Sequence, residues 1–566
     1  MPALLPCGIF GFGERAGSST REAIMDSCPS WLVRLLVTAL LPLVAGPLTE
    51  PARAQVLTSQ YDNSRTGCNL NETLLTPHNV NPDQFGKLFL LRVDGAIYAQ
   101  PLYIPALEIP GKGRHSVVFV ATEHDSVYAF DADGTRQEPL WKVNFLDSSK
   151  GVTPVPVGDV GCPFISPEIG ITSTPVIDLQ SGTLYVLART KEKSGLLSKR
   201  HVQRLHALTI TTGVEKFGGP VEIRASIKAR GDGSSNGQLE FDPLRENPRS
   251  SLLLVNGNVY LTWASSCDAG PYHGWVMAYD AHTLEQVAVF NTSPDTGDSG
   301  IWAGDTGPGA DTEGNVFFAT GNGKFNVTSG GRDYGDSVVK LSLVDRQLLV
   351  RDYFTPFNQA ELDAKDQDLG SGGPLLLPDQ PGPHPHLLEV SGKGGMVYLL
   401  DRDNLGRNQS GSDDQIVQSF HGGPDENFGA SAYWNGHVFT IFGSDVPKDF
   451  PVVNGQLSLT PLHGNRKFPD PGSTPTVSAN GTNDAIVWAL TSRHWADPDG
   501  EPARLYAFEA SNLNHELYSS EMNPTRDRAG TGLRFNIPMV VNGHVYVGAK
   551  GELDVYGLFP STEQKR

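Results

Sequence analysis

Two aspartates separated by a single residue are the clearest candidates for chemistry in this chain. Asp366 and Asp368 occur in the segment KDQDLG at positions 365–370. In an irregular loop, carboxylates at this spacing converge on one hard cation, which takes oxygen ligands. The alternative is an acidic surface loop, because the chain carries 63 Asp and Glu residues. The pair therefore predicts either a cation site or a solvated acidic loop.

The charge balance limits the ligands that the chain can bind. Its 566 residues include 63 Asp and Glu against 44 Lys and Arg, which gives a formal net charge of −19. An acidic surface repels phosphate backbones, so we expect no nucleic-acid partner. With 39% hydrophobic residues the chain can bury a large core, and its 62 Gly and 41 Pro residues are typical of a structure with many tight turns.

A short apolar signature that ends in an acidic residue recurs along the chain. The clearest copies are VYAFD at 127–131, MAYD at 277–280, VYLLD at 397–401 and LYAFE at 505–509. With four weaker copies the repeat length is about 60 residues, within the size of a four-stranded propeller blade and its loops. Helical periodicity is almost absent. These repeats predict an all-β fold, an eight-bladed β-propeller of four-stranded blades.

The two ends of the repeat array are complementary. The last copy ends near Leu558 without an outer strand, and the segment FGKLFLL at 85–91 has no inner strands before it. Pairing the two would complete the eighth blade and remove a bare sheet edge. We therefore expect the N-terminal strand to join the last blade and close the ring, with residues 55–566 forming a single propeller domain.

The N-terminus has the pattern of an export signal. The apolar run LLVTALLPLVA at 35–45 precedes the small-x-small triplet ARA at 52–54, which is typical of a secretory signal peptide and its cleavage site. Residues 1–54 are therefore interpreted as a presequence, with translation expected to start at Met25. The run is too short to span a bilayer and no lipid-attachment cysteine follows it, so we expect a secreted or periplasmic protein without a membrane anchor.

Three cysteines remain after the presequence, an odd number for an oxidising compartment. They are Cys68, Cys162 and Cys267. We expect Cys162 to pair with Cys267, because both lie in loops of adjacent repeats, which leaves Cys68 as a free thiol. The alternative is three unpaired, partly buried thiols.

The repeat pattern resembles that of pyrroloquinoline quinone (PQQ) dehydrogenases and of their non-enzymatic relatives, the outer-membrane assembly-factor lipoproteins. A TPV strand, an xVYV strand, the signature YAFDAxTG and a following LW recur over nearly the whole mature chain. Among proteins with these repeats, it resembles secreted PQQ-binding-like propeller proteins. The resemblance implies the fold and not an activity, because function depends on sites placed on the fold.

In dehydrogenases of this family, PQQ lies on the propeller axis beside a Ca²⁺ or lanthanide ion, and an aspartate accepts the substrate's hydroxyl proton. The segment KDQDLG resembles the family's WDYDG, which implies Asp366 as the catalytic base and Asp368 as the extra metal carboxylate of lanthanide-dependent members. The segment ATGNG resembles GTGNP, which implies Asn322 as a metal ligand; the alternative is a plain Asn-Gly turn. Asp268 stands near the family's third ligand, a glutamate, with different spacing and a shorter side chain.

Three further residues are candidate contacts of the cofactor. Trp302 and Asp305 occur in the segment WAGD, which keeps the first tryptophan of the family's WxW stacking platform and lacks the second. Without the second tryptophan a planar quinone loses stacking contacts of roughly 1 kcal/mol. Arg493 follows a predicted strand and either faces the axis or caps a blade. The family's adjacent cysteine pair is missing, since Cys162 stands alone in DVGCP.

Two functions follow from these patterns. The first is a secreted oxidoreductase that depends on PQQ and Ca²⁺ and acts on an alcohol or a sugar, with Asp366 as the base. The second is a non-catalytic propeller that binds a protein or a glycan at its axial face. Convergence of Asn322, Asp366 and Asp268 within metal-ligand reach would favour the first function.

Overall fold

Short strands account for nearly all the regular structure in the computed structural model, which describes residues 54–195, 198–304, 306–424, 427–491 and 500–560. Within these ranges the strands form eight sheets of four or more strands and one separate two-stranded hairpin. Runs of β-branched and aromatic residues between turn-forming Gly, Asn and Asp residues explain the high strand content. The all-β prediction is confirmed.

The first four sheets follow one another along the chain. Their strands are, for sheet 1, Leu102–Ile109, Gly113–Ala121, Ser126–Asp131 and Trp141–Asn144; for sheet 2, Val176–Asp178, Thr183–Lys193, Lys199–Thr209 and Val221–Glu222, extended by Val152–Pro156 and Glu168–Ile169; for sheet 3, Leu253–Val255, Asn258–Trp263, Trp275–Asp280 and Gln286–Asn291; and for sheet 4, Gly309–Ala310, Val316–Ala319, Val338–Val344 and Gln347–Phe354. The separate hairpin, Ser226–Lys228 and Gln238–Glu240, lies between sheets 2 and 3 in the chain.

The remaining sheets repeat the same order of strands. They comprise, for sheet 5, Leu375–Leu376, Leu387–Ser391, Met396–Asp401 and Gln418–His421; for sheet 6, Ala432–Trp434, His437–Thr440, Lys448–Val453, Gln456–Leu457 and Leu462–His463; for sheet 7, Thr476–Asn480, Asn483–Thr491, Arg504–Glu509 and Asn512–Ser519, with Cys68–Asn69 added in parallel; and for sheet 8, Met539–Val541, His544–Gly548, Lys550–Leu558 and Phe85–Ala96.

The helices are few and short. They are the α-helices Val157–Val160, Gln359–Lys365 and Pro524–Asp527 and the 3₁₀ turns Ser148–Lys150, Val327–Ser329 and Leu369–Ser371. Among the residues that the structure describes, no helix combines the length and the apolar composition needed to cross a bilayer. Residues 1–53 of the predicted presequence 1–54, with the expected start at Met25, lie outside the described residues, and the presequence stays a prediction.

The acidic residue that ends the repeated signature caps a tight turn. In sheet 1, the Asp131 carboxylate accepts a hydrogen bond from the backbone N–H of Asp133 (3.2 Å). In sheet 3, Asp280 accepts from the N–H groups of His282 (2.9 Å) and Thr283 (2.8 Å). A short acidic side chain is suited to this position because it satisfies backbone donors that the turn leaves unpaired. The repeat in the sequence is therefore the repeat of this third strand and its turn.

The predicted pairing between the two ends of the chain is confirmed. Phe85–Ala96 runs antiparallel to Lys550–Leu558 as the fourth strand of sheet 8, with Phe85 opposite Leu558. The buried Phe85 ring also packs against Trp488 and Tyr518 of sheet 7, at centroid distances of 5.5 and 4.9 Å. The N-terminal strand thus contributes to the edge of one sheet and to the core of its neighbour.

A single N-terminal segment, residues 56–69, is hydrogen-bonded to the first strand of every one of the eight sheets. The contacts, in sheet order, are Val56 with Tyr103 (2.9 and 2.8 Å), Leu57 with Ile177 (2.8 Å), Asn63 with Leu254 (2.8 Å), Asn63 with Ala310 (2.7 Å), Ser64 with Leu376 (2.9 Å), Thr66 with Tyr433 (2.8 Å), Gly67 with Val477 (2.8 Å) and Asn69 with Val540 (3.0 Å). Each first strand has one edge that pairs with no strand of its own repeat, and the segment satisfies groups along that edge.

Arg65 holds this N-terminal segment in place from within. Its guanidinium is fully buried and donates to the backbone oxygens of Pro308 (3.0 Å), Ser59 (2.8 Å) and Leu252 (3.3 Å). Burial lowers the pKa of Arg65 to about 10, and the nearby Asp62 carboxylate opposes that shift. The charged guanidinium therefore joins the segment to the backbone next to sheets 3 and 4 through the hydrogen bonds that it donates.

We predict that Arg65→Gln lowers the free energy of unfolding by roughly 2–4 kcal/mol, because buried carbonyl groups lose charged donors. Denaturant titration followed by circular dichroism measures this change. The exposed Arg92→Gln on the strand Phe85–Ala96 is the matched control and should shift the free energy by less than about 0.5 kcal/mol. Equal stability of the two variants would contradict the role given to Arg65.

Candidate functional site

A cavity of about 290 Å³ opens among the loops at one end of the sheets. Most of the residues that line it lie either between the second and third strands of a sheet or just before the first strand of the next sheet. In an antiparallel sheet these two kinds of connection lie at the same end of the strands. The topology therefore brings side chains from several repeats together around a common space.

The predicted disulfide forms part of the cavity wall. Cys162 and Cys267 are bonded, with Cα atoms 5.5 Å apart, while Cys68 is a buried free thiol. The bond joins the connection between the two added strands of sheet 2, Val152–Pro156 and Glu168–Ile169, to a loop of sheet 3, and both cysteines face the cavity. Two cysteines 105 residues apart thus supply a disulfide at the cavity, although the chain lacks an adjacent pair.

Trp302 forms another part of the wall. Its indole lies against the backbone of Gly321, where a Cβ atom would overlap both the indole nitrogen and the Asp368 carboxylate. The Tyr272 ring meets the indole edge-on, with centroids 6.1 Å apart at 72°. The indole Nε1 is buried and has no hydrogen-bond partner among the described residues. Glycine at position 321 is required for this close approach.

The structure brings together Asn322, Asp366 and Asp368. The Asn322 backbone N–H donates to Asp368 Oδ1 (2.7 Å), and its side-chain Nδ2 donates to Asp366 Oδ1 (3.1 Å). The amide oxygen of Asn322 is buried and has no partner within the described part of the chain. Three oxygen-bearing side chains from sheet 4 and the following connection therefore meet beside the cavity, which Asp368 lines.

A short helix determines where the Asp366 carboxylate points. Gln359–Lys365 ends at Asp366, whose left-handed backbone (φ 55°) turns the chain toward Asp368. The helix is anchored to the neighbouring loop, because Gln359 Nε2 donates to the Gly323 backbone oxygen (2.7 Å). The Asp366 side chain stays 58% exposed, whereas that of Asp368 is only 11% exposed. One carboxylate is thus accessible and the other is enclosed.

Lys393 is a cation of the site that the sequence analysis missed. Its ammonium lies 2.7 Å from Asp366 Oδ2 and 3.6 Å from Asp368 Oδ2. Burial raises the pKa of Asp368 to about 6, while the Asn322 N–H and Lys393 act in the opposite direction. Lys393 lies between the second and third strands of sheet 5, the position that Asn322 has in sheet 4. Equivalent positions in successive repeats could have revealed it.

Asp268 faces the same cavity but is held by a different partner. The Tyr272 hydroxyl donates to its Oδ1 (2.8 Å). Desolvation raises the pKa of Asp268, and the Asp366 charge acts in the same direction, while Tyr272 and Lys393 oppose it. Asp268 is thus near enough to Asp366 for their charges to interact.

The donor set fits a hard cation in its chemistry. The unpartnered amide oxygen of Asn322 and the carboxylates of Asp268 and Asp368 are oxygen ligands of the kind that Ca²⁺ takes, and Asp366 lies beside them. In the ranges that the structure describes, no group of three or more His, Cys, Asp or Glu side chains is arranged to hold a metal. A cation here would therefore need the Asn322 oxygen together with the carboxylates. The predicted cofactor contacts Asp305 and Arg493 lie outside the described residues.

Comparison with solved structures shows the fold. The chain is similar to a quinohemoprotein alcohol dehydrogenase from Pseudomonas putida HK5 (TM-score 0.58, 15% identity, covering 89% of this chain and 80% of that one) and to another from Comamonas testosteroni (0.56, 14%, 90% and 82%). It is also similar to a europium-containing methanol dehydrogenase (0.53, 14%, 89% and 98%). No protein-family model and no curated protein sequence matches it. The chain therefore has a quinoprotein-like propeller fold.

A buried acid stands behind the cavity wall. Glu123 Oε2 accepts hydrogen bonds from the N–H of Gly170 (2.7 Å) and the hydroxyl of Thr172 (3.2 Å), next to the cavity residue Ile169. Burial raises the pKa of Glu123 from 4.5 to about 7, against the opposing effects of these donors and of Arg189 and Arg249. The Glu123 carboxyl group therefore stays protonated to a higher pH in the folded protein than in the unfolded chain.

We predict that Glu123→Gln removes a pH dependence of stability. Because its folded pKa is raised, the Glu123 contribution is fully present below pH 4.5 and is lost as the pH rises through about 7. From pH 4.5 to pH 8, the unfolding free energy of the wild type should therefore fall by about 3 kcal/mol relative to that of the variant. Denaturant titrations at both pH values measure it. The exposed Glu108→Gln should show no such change, and a flat difference for Glu123→Gln would refute the raised pKa.

Proposed function

We propose that residues 55–566 form an exported, eight-bladed quinoprotein-like propeller that binds PQQ in the cavity and oxidises an alcohol or a sugar. One observation carries this proposal: the cavity has Trp302 and the Cys162–Cys267 disulfide in its wall and the Asn322, Asp366 and Asp368 cluster beside it. Aromatic and disulfide surfaces suit a flat ring system, and polar groups at one side suit its reactive edge.

Asn322, Asp368 and Asp268 are the residues that would hold Ca²⁺. All three carry oxygen donors, as a hard cation requires; Asp268 and Asp368 line the cavity, and Asn322 contacts Asp368. When bound, PQQ supplies a two-electron acceptor, and Ca²⁺ polarises its quinone carbonyl. The enclosure of Asp368 and the fixed position of Gly321 keep this side of the site rigid.

Asp366 is the proposed base that accepts the proton of the substrate hydroxyl. Its carboxylate is accessible, and it is oriented by hydrogen bonds from Asn322 Nδ2 (3.1 Å) and Lys393 Nζ (2.7 Å). Donors on both oxygens fix the plane of the carboxylate and leave lone pairs for a further proton. A general base needs this combination of access and fixed geometry.

A second candidate is a non-catalytic propeller that binds a protein or a glycan at this face. The observation in its favour is that Lys393 already forms ion pairs with Asp366 and Asp368 where a cation ligand set is expected. Polar and aromatic groups around an axial cavity also suit the binding of a peptide or sugar.

Reconstitution of the purified mature protein with PQQ and Ca²⁺ separates the two candidates. We expect the quinone absorbance to shift at micromolar cofactor and to bleach when an alcohol or sugar substrate is added. No shift at micromolar PQQ would end the enzyme proposal.

We further predict that Asp366→Asn binds PQQ as the wild type does but loses at least about 100-fold in turnover, because the amide cannot accept the proton. Stopped-flow bleaching of the quinone measures the rate, and calorimetry measures the affinity. Asp379→Asn, on an exposed loop, is the matched control and should keep full activity. Full activity of Asp366→Asn would exclude it as the base.

A further inference from the structure

A second cavity, called here the rear pocket, lies behind the charged groups of the candidate site. Its volume is about 170 Å³. Gln367 and Leu369 line the rear pocket, whereas Asp368, which stands between them, lines the first cavity. The glycines on both sides of Lys393 line the rear pocket as well, and Lys393 itself lines the first cavity. These two chain segments therefore separate the two cavities.

The inner surface of the rear pocket is apolar. Leu369 and Tyr398 belong to the hydrophobic core between sheets 4 and 5, Met396 packs against that core, and Leu362 adds a side chain from the helix Gln359–Lys365. Leu362, Leu369 and Tyr398 are at most 6% exposed. An apolar ring that covers this surface displaces water from it, which stabilises the bound state.

Amide and imidazole side chains complete the wall of the rear pocket. They belong to Asn358, Gln367 and His421. Among the described residues, none forms a side-chain hydrogen bond with these three, and no Asp, Glu, Lys or Arg lines the rear pocket. A charged ligand would lose its hydration here without gaining a partner of opposite charge. The lining therefore favours an uncharged ligand that carries a hydrogen-bonding group.

The helix that covers the rear pocket is fixed to sheet 4. Gln359 Nε2 donates to the Gly323 oxygen (2.7 Å) and to Asp336 Oδ2 (3.1 Å), and the Leu369 N–H donates to Asp336 Oδ1 (3.2 Å). Asp336, just before the third strand of sheet 4, thus holds both the start of the helix and the segment after it. Because these bonds keep the helix in place, binding requires little reorganisation, which favours affinity.

We propose that the rear pocket binds a small uncharged phenol, with the ring on the apolar surface and the hydroxyl group hydrogen-bonded to the Gln367 amide. An apolar cavity of about 150 Å³ takes up benzene. The rear pocket, at about 170 Å³, therefore has room for one benzene ring with a hydroxyl group. A hydroxyl group both donates and accepts, and the Gln367 amide offers a carbonyl oxygen and an NH₂ group. None of the lining residues is assigned to PQQ or Ca²⁺, so this proposal does not rest on the proposed function.

Titration of the full mature chain with para-fluorophenol, followed by fluorine NMR, tests the proposal. We expect the wild type to bind with a dissociation constant of about 1 mM or lower. Gly394→Leu should weaken binding at least about 10-fold, because the new side chain fills the pocket. Its Cβ atom would lie 3.3 Å from Gln367 Cδ, and the Gly394 backbone is outside the left-handed region, so leucine is not strained there. Gly158→Leu, where the added side chain meets open space, is the matched control and should bind within about 2-fold of the wild type.

Gln367→Met tests the hydrogen bond, because methionine has a similar length and lacks the amide. This variant should bind para-fluorophenol about 3- to 10-fold more weakly than the wild type. Fluorobenzene lacks the hydroxyl group, so its affinity should stay within about 2-fold in the same variant.

Circular dichroism spectra establish that each variant is folded, and the wild-type titration needs no variant. Absence of binding to the wild type up to about 10 mM para-fluorophenol would overturn the proposal. Unchanged affinity in Gly394→Leu would also overturn it, because the probe would then bind elsewhere, as would unchanged affinity in Gln367→Met. If Gly394→Leu does not fold, the Gln367→Met comparison decides. PQQ enters none of these titrations, so their outcome is separate from that of the proposed function.

Discussion

The hydrogen bonds between residues 56–69 and the first strands of all eight sheets are the constraint on which the rest of the structure depends. A first strand pairs with its own repeat along one edge only, and its other edge carries backbone groups that need partners. No single neighbouring strand can supply all of these partners, because the first strands belong to eight different sheets. One extended segment meets it by contributing a few groups to each, and buried Arg65 adds donors where the backbone alone does not reach.

The same constraint sets the dimensions of the candidate site. Trp302, Ser371, Arg249 and Arg534 each lie within seven residues before a first strand that the N-terminal segment holds. Fixing those strands therefore fixes the positions at which these side chains enter the cavity. The disulfide adds a direct link across the wall, between a connection within sheet 2 and a loop of sheet 3. The geometry of the site thus depends on backbone contacts made along the first strands.

Three features could be predicted from the sequence: the fold class, the pairing of Phe85–Ala96 with the last strand and the Cys162–Cys267 bond. The first two depend on local periodicity, and the third is a choice among only three cysteines. The convergence of Asn322 with Asp366 and Asp368 was predictable from a resemblance in two short segments. Residues 56–69 carry no repeat, so their contacts with every sheet left no pattern. Lys393 and the aromatic residues of the cavity were missed for a related reason: they come from separate repeats, and only the three-dimensional arrangement brings them together.

Lys393 links the carboxylates of the site to the aromatic part of the cavity wall, because it contacts Asp366, Asp368 and the Phe428 ring. It offsets the cost of enclosing Asp368, whose pKa burial raises, and it also holds the accessible Asp366. A cation held by Asp368 would repel the ammonium from that carboxylate and leave Lys393 paired with Asp366, because two cations near one carboxylate repel each other. The ammonium would still lie beside the Phe428 ring, which also contacts Arg534. A cation bound at these carboxylates would therefore make the electrostatic potential in the cavity more positive. A cation and an anionic ligand would then bind cooperatively.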